Sequence, residues 1–280
     1  MKIAYLGPKG SFSHNVALRA LPAAILQDFE TITEVIKAFE SGQVDGAIVP
    51  VENAIEGSVH ETLDYLFHQA DLEAVAEFMQ PIKQQLLVTS LDKPIETIFS
   101  HPQAIAQGKA YINAHYPKAK IEVTASTAYA ARYVAEHPEQ PYAAIAPDSA
   151  AVTYGLVTAA RDIHELEENF TRFWLLAKTV PLFELPQLGQ KLSLALTLPD
   201  NLPGALYKAM SVFAWRGIDL TKIESRPLKT VLGEYFFIID LVYHQPEHVK
   251  FALEELASMG IQSKILGKYG VFQMETARND

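Results

Sequence analysis

Short apolar runs alternate with helical stretches from residue 1 to about residue 155, and this alternation constrains the fold more than any other feature. The first runs with strand character lie at 2–7, 24–29 and 45–51. Helical patterns follow them at 12–20 and 31–42, where Thr31 and Glu34 have the spacing of a capping box. Strand–helix alternation predicts an α/β fold, with a mainly parallel sheet covered by helices.

One stretch, residues 72–90, breaks this alternation because it contains two β segments with no helix between them. A second series follows, with strands at 96–101, 120–124 and 141–146. Strands that join two similar α/β lobes are what a hinged, two-lobed binding fold needs. We therefore expect two lobes, the second spanning about 80–165, and a later strand at 171–179.

The remainder of the chain has a different pattern. Residues 181–190 carry two prolines, a glycine and few helix signals, which indicates a linker. A strand, a helix, two strands, a helix and a strand are then predicted at 191–198, 203–215, 218–226, 234–243, 246–259 and 261–269. This βαββαβ order is that of the ferredoxin-like fold.

The composition excludes several classes of function. A formal net charge of −10 disfavours a nucleic-acid surface, which needs clustered lysine and arginine. There is no cysteine, the nine histidines lack metal-ligand spacing, and no phosphate-loop motif is present. No apolar run approaches the roughly 18 residues of a membrane span, and the N-terminal one is too short for a signal peptide. We therefore expect a cytoplasmic protein with no metal and no nucleic-acid or membrane partner.

Three serines stand where helices are expected to begin: Ser11, Ser58 and Ser126. Helix N-termini attract anions, and in a parallel sheet they gather beside the carboxyl ends of the strands, where ligands bind. Taken singly, each serine is better explained as a helix cap. Three such starts in two lobes favour an anion-binding cleft.

Other polar residues follow predicted buried strands. Glu52, Asn53 and Glu56 come after the strand at 45–51, and His101 ends the strand at 96–101. For paired acids in an ordinary loop, a solvated loop is the favoured explanation, and only their position at the end of a buried strand indicates a site.

The segment ENFTRFWLLA, residues 168–177, has the character of a buried strand interrupted by Thr171 and Arg172. Alternate residues of a strand face the same side, so Thr171 shares a face with Phe173 and Arg172 shares the other with Trp174. If Thr171 lines a cleft, Phe173 is its apolar neighbour. Arg172 is then expected to form a structural ion pair.

These motifs together resemble those of monofunctional prephenate dehydratases with a C-terminal ACT regulatory domain. The resemblance covers nearly the whole chain and rests on GPKGSFS, VPVENAIEGSV, SHPQA, EVTASTAYAA, NFTRFWLL, PGAL and KIESRP. It implies a two-lobed catalytic domain like the type II periplasmic binding proteins, at about 1–180, then the linker and an ACT domain at 191–270. It also implies conversion of prephenate to phenylpyruvate, water and CO2 in L-phenylalanine biosynthesis, without a cofactor.

The resemblance places the family's essential threonine on Thr171, with Glu52 as a second catalytic candidate. The substrate-binding candidates are Ser11, Asn53, Ser58, Gln103, Glu122, Ser126, Thr127, Arg172 and Phe173. The family usually has a serine or threonine after the Glu-Asn pair, whereas Ala54 follows it here. We expect Thr171 to donate a hydrogen bond to the departing oxygen. Glu52 or Glu122 is expected to supply the proton if burial raises its pKa.

Pro203 suits the first turn of a helix and Gly204 allows close backbone approach, which explains PGAL in structural terms. By resemblance, PGAL and ESRP line an L-phenylalanine site between two ACT domains of a homodimer or homotetramer. The effector-binding candidates are Gly204, Ala205, Leu206, Glu224, Ser225, Arg226 and Pro227. Feedback inhibition by L-phenylalanine follows from this assignment.

Two alternatives remain open at this point. Arogenate differs from prephenate by an amino group, and no motif here separates a dehydratase of one from that of the other. A non-catalytic amino-acid sensor is the second alternative, which the threonine of TRF disfavours. We expect no bifunctional enzyme, because neither end resembles a chorismate mutase.

Overall fold

The computed structural model describes residues 1–165, 168–199, 203–228 and 235–274. Two compact units form within the chain. The first unit contains Met1–Thr62 and Met79–Phe173, and the second contains Leu63–Phe78 and Trp174–Gln273. None of the described helices has the length and apolar character needed to cross a membrane. Residue 234, the predicted start of a strand, lies outside the described residues.

The first lobe of the first unit contains the predicted parallel sheet. Strand β1 (Lys2–Leu6) pairs in parallel with β2 (Ile25–Phe29) and with β3 (Gly46–Asn53). The amide of Ala54 donates to the carbonyl of Phe170 at 2.8 Å, which places the start of β11 (Phe170–Ala177) beside the end of β3. The helices of this lobe are α1 (Phe12–Ala20) and α2 (Ile32–Glu40). The capping box predicted for α2 is confirmed.

The helix start predicted at Ser58 is wrong. Ser58 lies in a two-residue strand, β4 (Gly57–Ser58), which pairs antiparallel with Glu52 and Asn53. Helix α3 (His60–His68) begins only after this strand, and the Glu61 carboxylate accepts hydrogen bonds from Thr33 instead of capping the helix. The side chain of Asn53 explains this path. Its oxygen accepts hydrogen bonds from the backbone amides of Ile55 and Glu56, and this turn reverses the chain.

The second lobe contains a mixed sheet with the strand order β10-β6-β9-β7-β8. Its elements are β6 (Gln85–Val88), β7 (Thr97–Ser100), α4 (Pro102–Gln107), α5 (Lys109–His115), β8 (Lys120–Val123), α6 (Thr127–Glu136), β9 (Tyr142–Ala146), α7 (Asp148–Tyr154) and β10 (Val157–Ala160). Strand β7 is parallel to β8 and β9, whereas β6 is antiparallel to β9 and β10. Strand β10 was not predicted. The two lobes together confirm the type II periplasmic-binding-protein fold.

The second unit contains the predicted βαββαβ pattern. Its elements are β12 (Gln187–Thr197), α8 (Ala205–Ala214), β13 (Leu220–Pro227), β14 (Tyr235–Val242), α9 (Pro246–Ser258) and β15 (Gln262–Gln273). The antiparallel order β13-β14-β12-β15 is ferredoxin-like. Leu194, Phe213 and Leu256 lie in its core. Strand β12 begins at Gln187, so it takes up the end of the stretch predicted as linker.

Residues Leu63–Phe78 join this unit through contacts with the ferredoxin-like part. The Glu77 carboxylate, on strand β5 (Ala74–Pro81), is fully buried; it accepts a hydrogen bond from Trp174 Nε1 at 3.0 Å and pairs with Lys191 Nζ at 3.4 Å. Lys264 Nζ donates to the carbonyls at the end of α3, those of Leu66, Phe67 and Ala70. Carbonyls that α3 cannot satisfy internally therefore bind a residue about 200 positions later.

Glycine at position 267 is required by the approach of β15 to β5. A Cβ atom there would lie 2.6 Å from the Ala74 carbonyl oxygen, which is closer than any side chain tolerates. Strand β5 is thus packed directly on the backbone of β15 within the second unit.

Candidate active site

Thr171 and Asn53 are joined by a short hydrogen bond. Asn53 Nδ2 donates to Thr171 Oγ1 at 2.8 Å, and each residue is only 9% exposed. Asn53 Oδ1 accepts from the backbone amides of Ile55 and Glu56 at 3.0 and 3.1 Å. Because backbone amides can only donate, they fix which end of the Asn53 amide is oxygen, and its nitrogen faces Thr171.

This bond determines what the Thr171 hydroxyl can do. Its oxygen already accepts a hydrogen bond from Asn53, so its own hydrogen points in another direction. In the part of the chain that the structure describes, no acceptor takes this hydrogen. The Thr171 hydroxyl therefore has a hydrogen available for donation.

Arg172 forms the predicted ion pair, and its partner is Glu52, the other catalytic candidate. Arg172 Nη1 lies 2.5 Å from Glu52 Oε2, with the side chains 13% and 26% exposed. The Arg172–Glu52 ion pair thus lies beside the strand that carries Thr171. Phe173, on the face of Thr171, is buried.

A residue of the second lobe also reaches Asn53. Gln103 Nε2 lies 3.4 Å from Asn53 Oδ1. Gln103 is in the first turn of α4, where His101 is the N-cap and its Nδ1 accepts from the Gln103 amide at 3.4 Å. Helix α4 thus directs an amide side chain from the second lobe to the Asn53–Thr171 pair.

The predicted helix caps at Ser11 and Ser126 are confirmed, and their role in binding anions stays a prediction. Ser11 Oγ accepts from the His14 amide at 3.2 Å, and Ser126 Oγ accepts from the Tyr129 amide at 3.0 Å. Thr127 is the first residue of α6. Glu122 is half-exposed on strand β8 and pairs with Lys120, so it lacks the burial that a role as proton donor was expected to require.

Comparison with known proteins identifies the family to which these residues belong. Residues 3–180 match the family described as prephenate dehydratase. The chain belongs to the prephenate dehydratase family. A prephenate dehydratase of Lactococcus lactis subsp. lactis is 52% identical over 276 residues, which are 98% of this chain and 99% of that protein.

Two solved prephenate dehydratases are also similar along most of the chain. The structure from Streptococcus mutans has 50% identity and a TM-score of 0.65, and the match covers 97% of this chain and 99% of that one. The structure from Arthrobacter aurescens, a complex with L-Phe, has 31% identity and a TM-score of 0.84 and covers 96% and 90%.

The effector candidates predicted from the sequence lie in the second unit. Gly204 is the N-cap of α8 with φ of +78°, a left-handed conformation that explains the glycine; Ala205 is buried and Leu206 half-buried behind it. Glu224 pairs with Lys222 at 3.4 Å, and Ser225 and Pro227 are exposed on β13. The Arg226 guanidinium binds the carboxylate of Asp64 in helix α3, with Nη2 at 2.9 and 3.0 Å from its two oxygens.

Sequence reasoning missed Asn169, which belongs to the hydrogen-bond network of Asn53 and Thr171. Its Oδ1 lies 3.2 Å from Asn53 Nδ2, and the residue is 2% exposed. Asn169 precedes Thr171 by two residues, so the strand period that pairs Thr171 with Phe173 also places Asn169 on that face. No group of three or more histidine, aspartate or glutamate side chains in the described residues could hold a metal ion.

We expect His14 to make the stability of this protein depend on pH. His14 Nδ1 accepts from the Gly10 amide at 3.1 Å, and burial, then the charge of Lys9, lowers the pKa of His14 below its ordinary 6.5. The unfolded chain therefore binds this proton more readily, so stability present above pH 6.5 is lost as the pH falls below it.

The measurement compares wild type with His14→Asn, whose amide oxygen is able to accept the same hydrogen bond but does not titrate. In urea denaturation, the free energy of unfolding should fall more for wild type than for His14→Asn between about pH 7.5 and about pH 5.5. Equal losses in the two proteins would contradict the assignment to His14.

Proposed function

We propose that this enzyme converts prephenate to phenylpyruvate with loss of water and CO2, and that L-phenylalanine inhibits it. In this proposal residues 1–180 form the catalytic domain, 181–190 the linker and 191–270 an ACT regulatory domain. The observation that carries the catalytic part is the hydrogen bond from Asn53 to Thr171, which leaves the threonine hydrogen available.

The proposed reaction needs one well-placed donor and no cofactor. Prephenate carries a ring hydroxyl opposite a ring carboxylate. The bond to the carboxylate carbon breaks to release CO2, its electron pair enters the ring, and the C–O bond breaks on the opposite side. The departing oxygen takes up a proton and leaves as water, and the ring becomes aromatic. Thr171 Oγ1–H stabilises the negative charge that develops on that oxygen.

The proton is proposed to come from Glu52 or Glu122. Each carboxylate now lies beside a cation, Glu52 beside Arg172 and Glu122 beside Lys120. The proposal includes a shift of the donating side chain away from its partner when substrate binds. Glu52 adjoins Asn53 in the chain, and the Asn53 side chain binds Thr171.

The carboxylates of prephenate are proposed to bind at helix N-termini. The starts of α1 at Ser11 and of α6 at Ser126 and Thr127 present backbone amides of the two lobes. Gln103, Arg172 and Phe173 are the other proposed contacts. Ser58 remains a candidate through its position in β4 opposite Glu52, not through a helix start.

The proposed regulation involves PGAL and ESRP. A solved relative from Arthrobacter aurescens is a complex with L-Phe, which supports an L-phenylalanine site in this chain, in a homodimer or homotetramer. We propose that Arg226 acts mainly by holding Asp64. Helix α3, which carries Asp64, begins just after strand β4, the partner of Glu52 and Asn53. Displacement of Arg226 by the effector would therefore affect the substrate site through helix α3.

The test is turnover by the full chain with prephenate, followed through the release of phenylpyruvate, with and without L-phenylalanine. We expect product only with active protein and inhibition when L-phenylalanine is added. Arogenate is assayed in parallel. Faster turnover of arogenate to phenylalanine would mean that arogenate, and not prephenate, is the substrate. Binding of L-phenylalanine without turnover of either compound would favour the amino-acid sensor and contradict the proposal.

A further inference from the structure

We propose that Asn169 is a positioning residue for this reaction. Its side-chain oxygen holds the Asn53 amide in the orientation that directs the Thr171 hydroxyl hydrogen away from Asn53 and toward substrate. The inference rests on the proposed function of Thr171 and assigns a role to a residue outside the set predicted from the sequence.

Both hydrogens of the Asn53 side-chain amide are directed at acceptors. One is directed to Thr171 Oγ1 at 2.8 Å, and the other reaches Asn169 Oδ1 at 3.2 Å. The Phe170 carbonyl, at 3.4 Å, is the more distant alternative acceptor. Asn169 therefore occupies the second hydrogen and prevents the amide from rotating away from Thr171.

The oxygen and nitrogen of the Asn169 side chain have different surroundings. Since backbone amides fix Asn53 Oδ1, the atom of Asn169 that faces Asn53 Nδ2 must be its oxygen. Its nitrogen, Nδ2, is then buried and has no hydrogen-bond partner among the described residues. A buried unpaired donor destabilises a fold. Such a side chain is expected where geometry at a functional site matters more than stability.

The backbone at Asn169 is held independently of its side chain. The Ile82 amide donates to the Asn169 carbonyl at 2.8 Å, and the Ala54 amide donates to the next carbonyl, that of Phe170, also at 2.8 Å. A change of the Asn169 side chain should therefore leave Thr171 on the same strand in the same register.

The experiment measures kcat, KM and Tm of the full chain with prephenate. Asn169→Ala should lower kcat about 10- to 100-fold, as loss of a group that orients a site residue commonly does. Its Tm should change little, because removal of the unpaired donor offsets loss of the acceptor for one Asn53 N–H. In an Asn53→Ala background the same change should cause no further loss, because its effect passes through Asn53. A purely structural role would lower kcat equally in both backgrounds and would overturn the inference.

Asn169→Asp keeps an oxygen that accepts from Asn53 and removes the unpaired donor. We expect it to retain more of the wild-type kcat than Asn169→Ala, and to raise KM because its charge repels the dianionic substrate. If the Asn169→Ala enzyme is unstable, the kcat of the Asn169→Asp enzyme tests the inference instead. A kcat as low as that of the Thr171→Ala enzyme, with an unchanged Tm, would then show that the acceptor oxygen is not what matters.

Tyr5→Phe is the matched control, because Tyr5 also carries a buried polar atom without a partner among the described residues, its hydroxyl. Tyr5→Phe should leave Tm unchanged or raise it, because it removes an unpaired donor, and it should leave kcat unchanged. Wild-type kcat in the Asn169→Ala enzyme overturns this inference alone. Absence of turnover in wild type overturns the proposed function and the inference with it.

Discussion

Replacing Thr171 by alanine is expected to lower kcat for prephenate about 10²- to 10³-fold, the range for loss of a hydrogen-bond donor that stabilises a developing oxyanion. The reason is the orientation of the hydroxyl, whose oxygen accepts from Asn53 and whose hydrogen is left for the departing oxygen of the substrate. The loss should appear in kcat rather than in KM, because this hydrogen bond strengthens only as charge develops on that oxygen.

The effect on stability is expected to be much smaller. Alanine leaves one buried Asn53 N–H without its acceptor, at a cost of about 1–3 kcal/mol, so the fold persists. Thr171→Ser restores a hydroxyl and should recover most of the lost turnover. Thr153→Ala removes an exposed threonine hydroxyl that donates to the Ser149 carbonyl, and it should behave as wild type. Near-normal kcat in Thr171→Ala would remove the threonine from the mechanism.

Replacing Asp64 by asparagine is expected to weaken inhibition by L-phenylalanine while turnover without the effector stays within about twofold of wild type. The Arg226–Asp64 pair joins the ESRP strand to helix α3, and its side chains are only 12% and 15% exposed. Helix α3 is anchored near the substrate site by the Thr62 hydroxyl, which donates to the Pro50 carbonyl at 2.6 Å. A coupling between binding sites is typically 1–3 kcal/mol, so half-inhibition should require about tenfold more L-phenylalanine.

Calorimetric titration separates coupling from binding. L-Phenylalanine should still bind to the Asp64→Asn enzyme, because Asp64 lies outside PGAL and ESRP. Glu255→Gln is the matched control: it weakens another arginine–carboxylate pair of the second unit, with Arg216, whose side chains are 24% and 29% exposed. That variant should be inhibited like wild type. Inhibition of Asp64→Asn at the wild-type concentration would mean that the signal does not pass through Arg226 and Asp64.

Local periodicity predicted the features that depend on one element at a time. The strand period separated Thr171 from Arg172, and the ion pair expected for Arg172 is present. Hydrophobic pattern and caps likewise predicted the two lobes and the βαββαβ order. The same period would have identified Asn169, had polar residues on the face of Thr171 been sought.

Features that depend on distant parts of the chain were not predictable in this way. Arg172 meets Glu52 across 120 positions, and Arg226 meets Asp64 across 162. Nothing in either local pattern indicates the partner. The helix start predicted at Ser58 was wrong for a different reason. The spacing of Ser58 to Glu61 does satisfy the capping-box signature. The turn at Asn53, however, commits Gly57 and Ser58 to strand pairing before the helix begins.

The burial of Glu77 has a consequence for chimaeric enzymes. Regulatory parts are usually exchanged as cassettes cut at a linker, and the stretch at 181–190 is the obvious place to cut. A transplant made there would carry Lys191 and Lys264 without Glu77 and the carbonyls that end α3. The recipient protein would have to supply an equivalent carboxylate for Lys191 and equivalent carbonyls for Lys264. A functional graft should therefore include Leu63–Phe78 as a second exchanged segment, because these residues fold with the C-terminal part although the chain reaches them first.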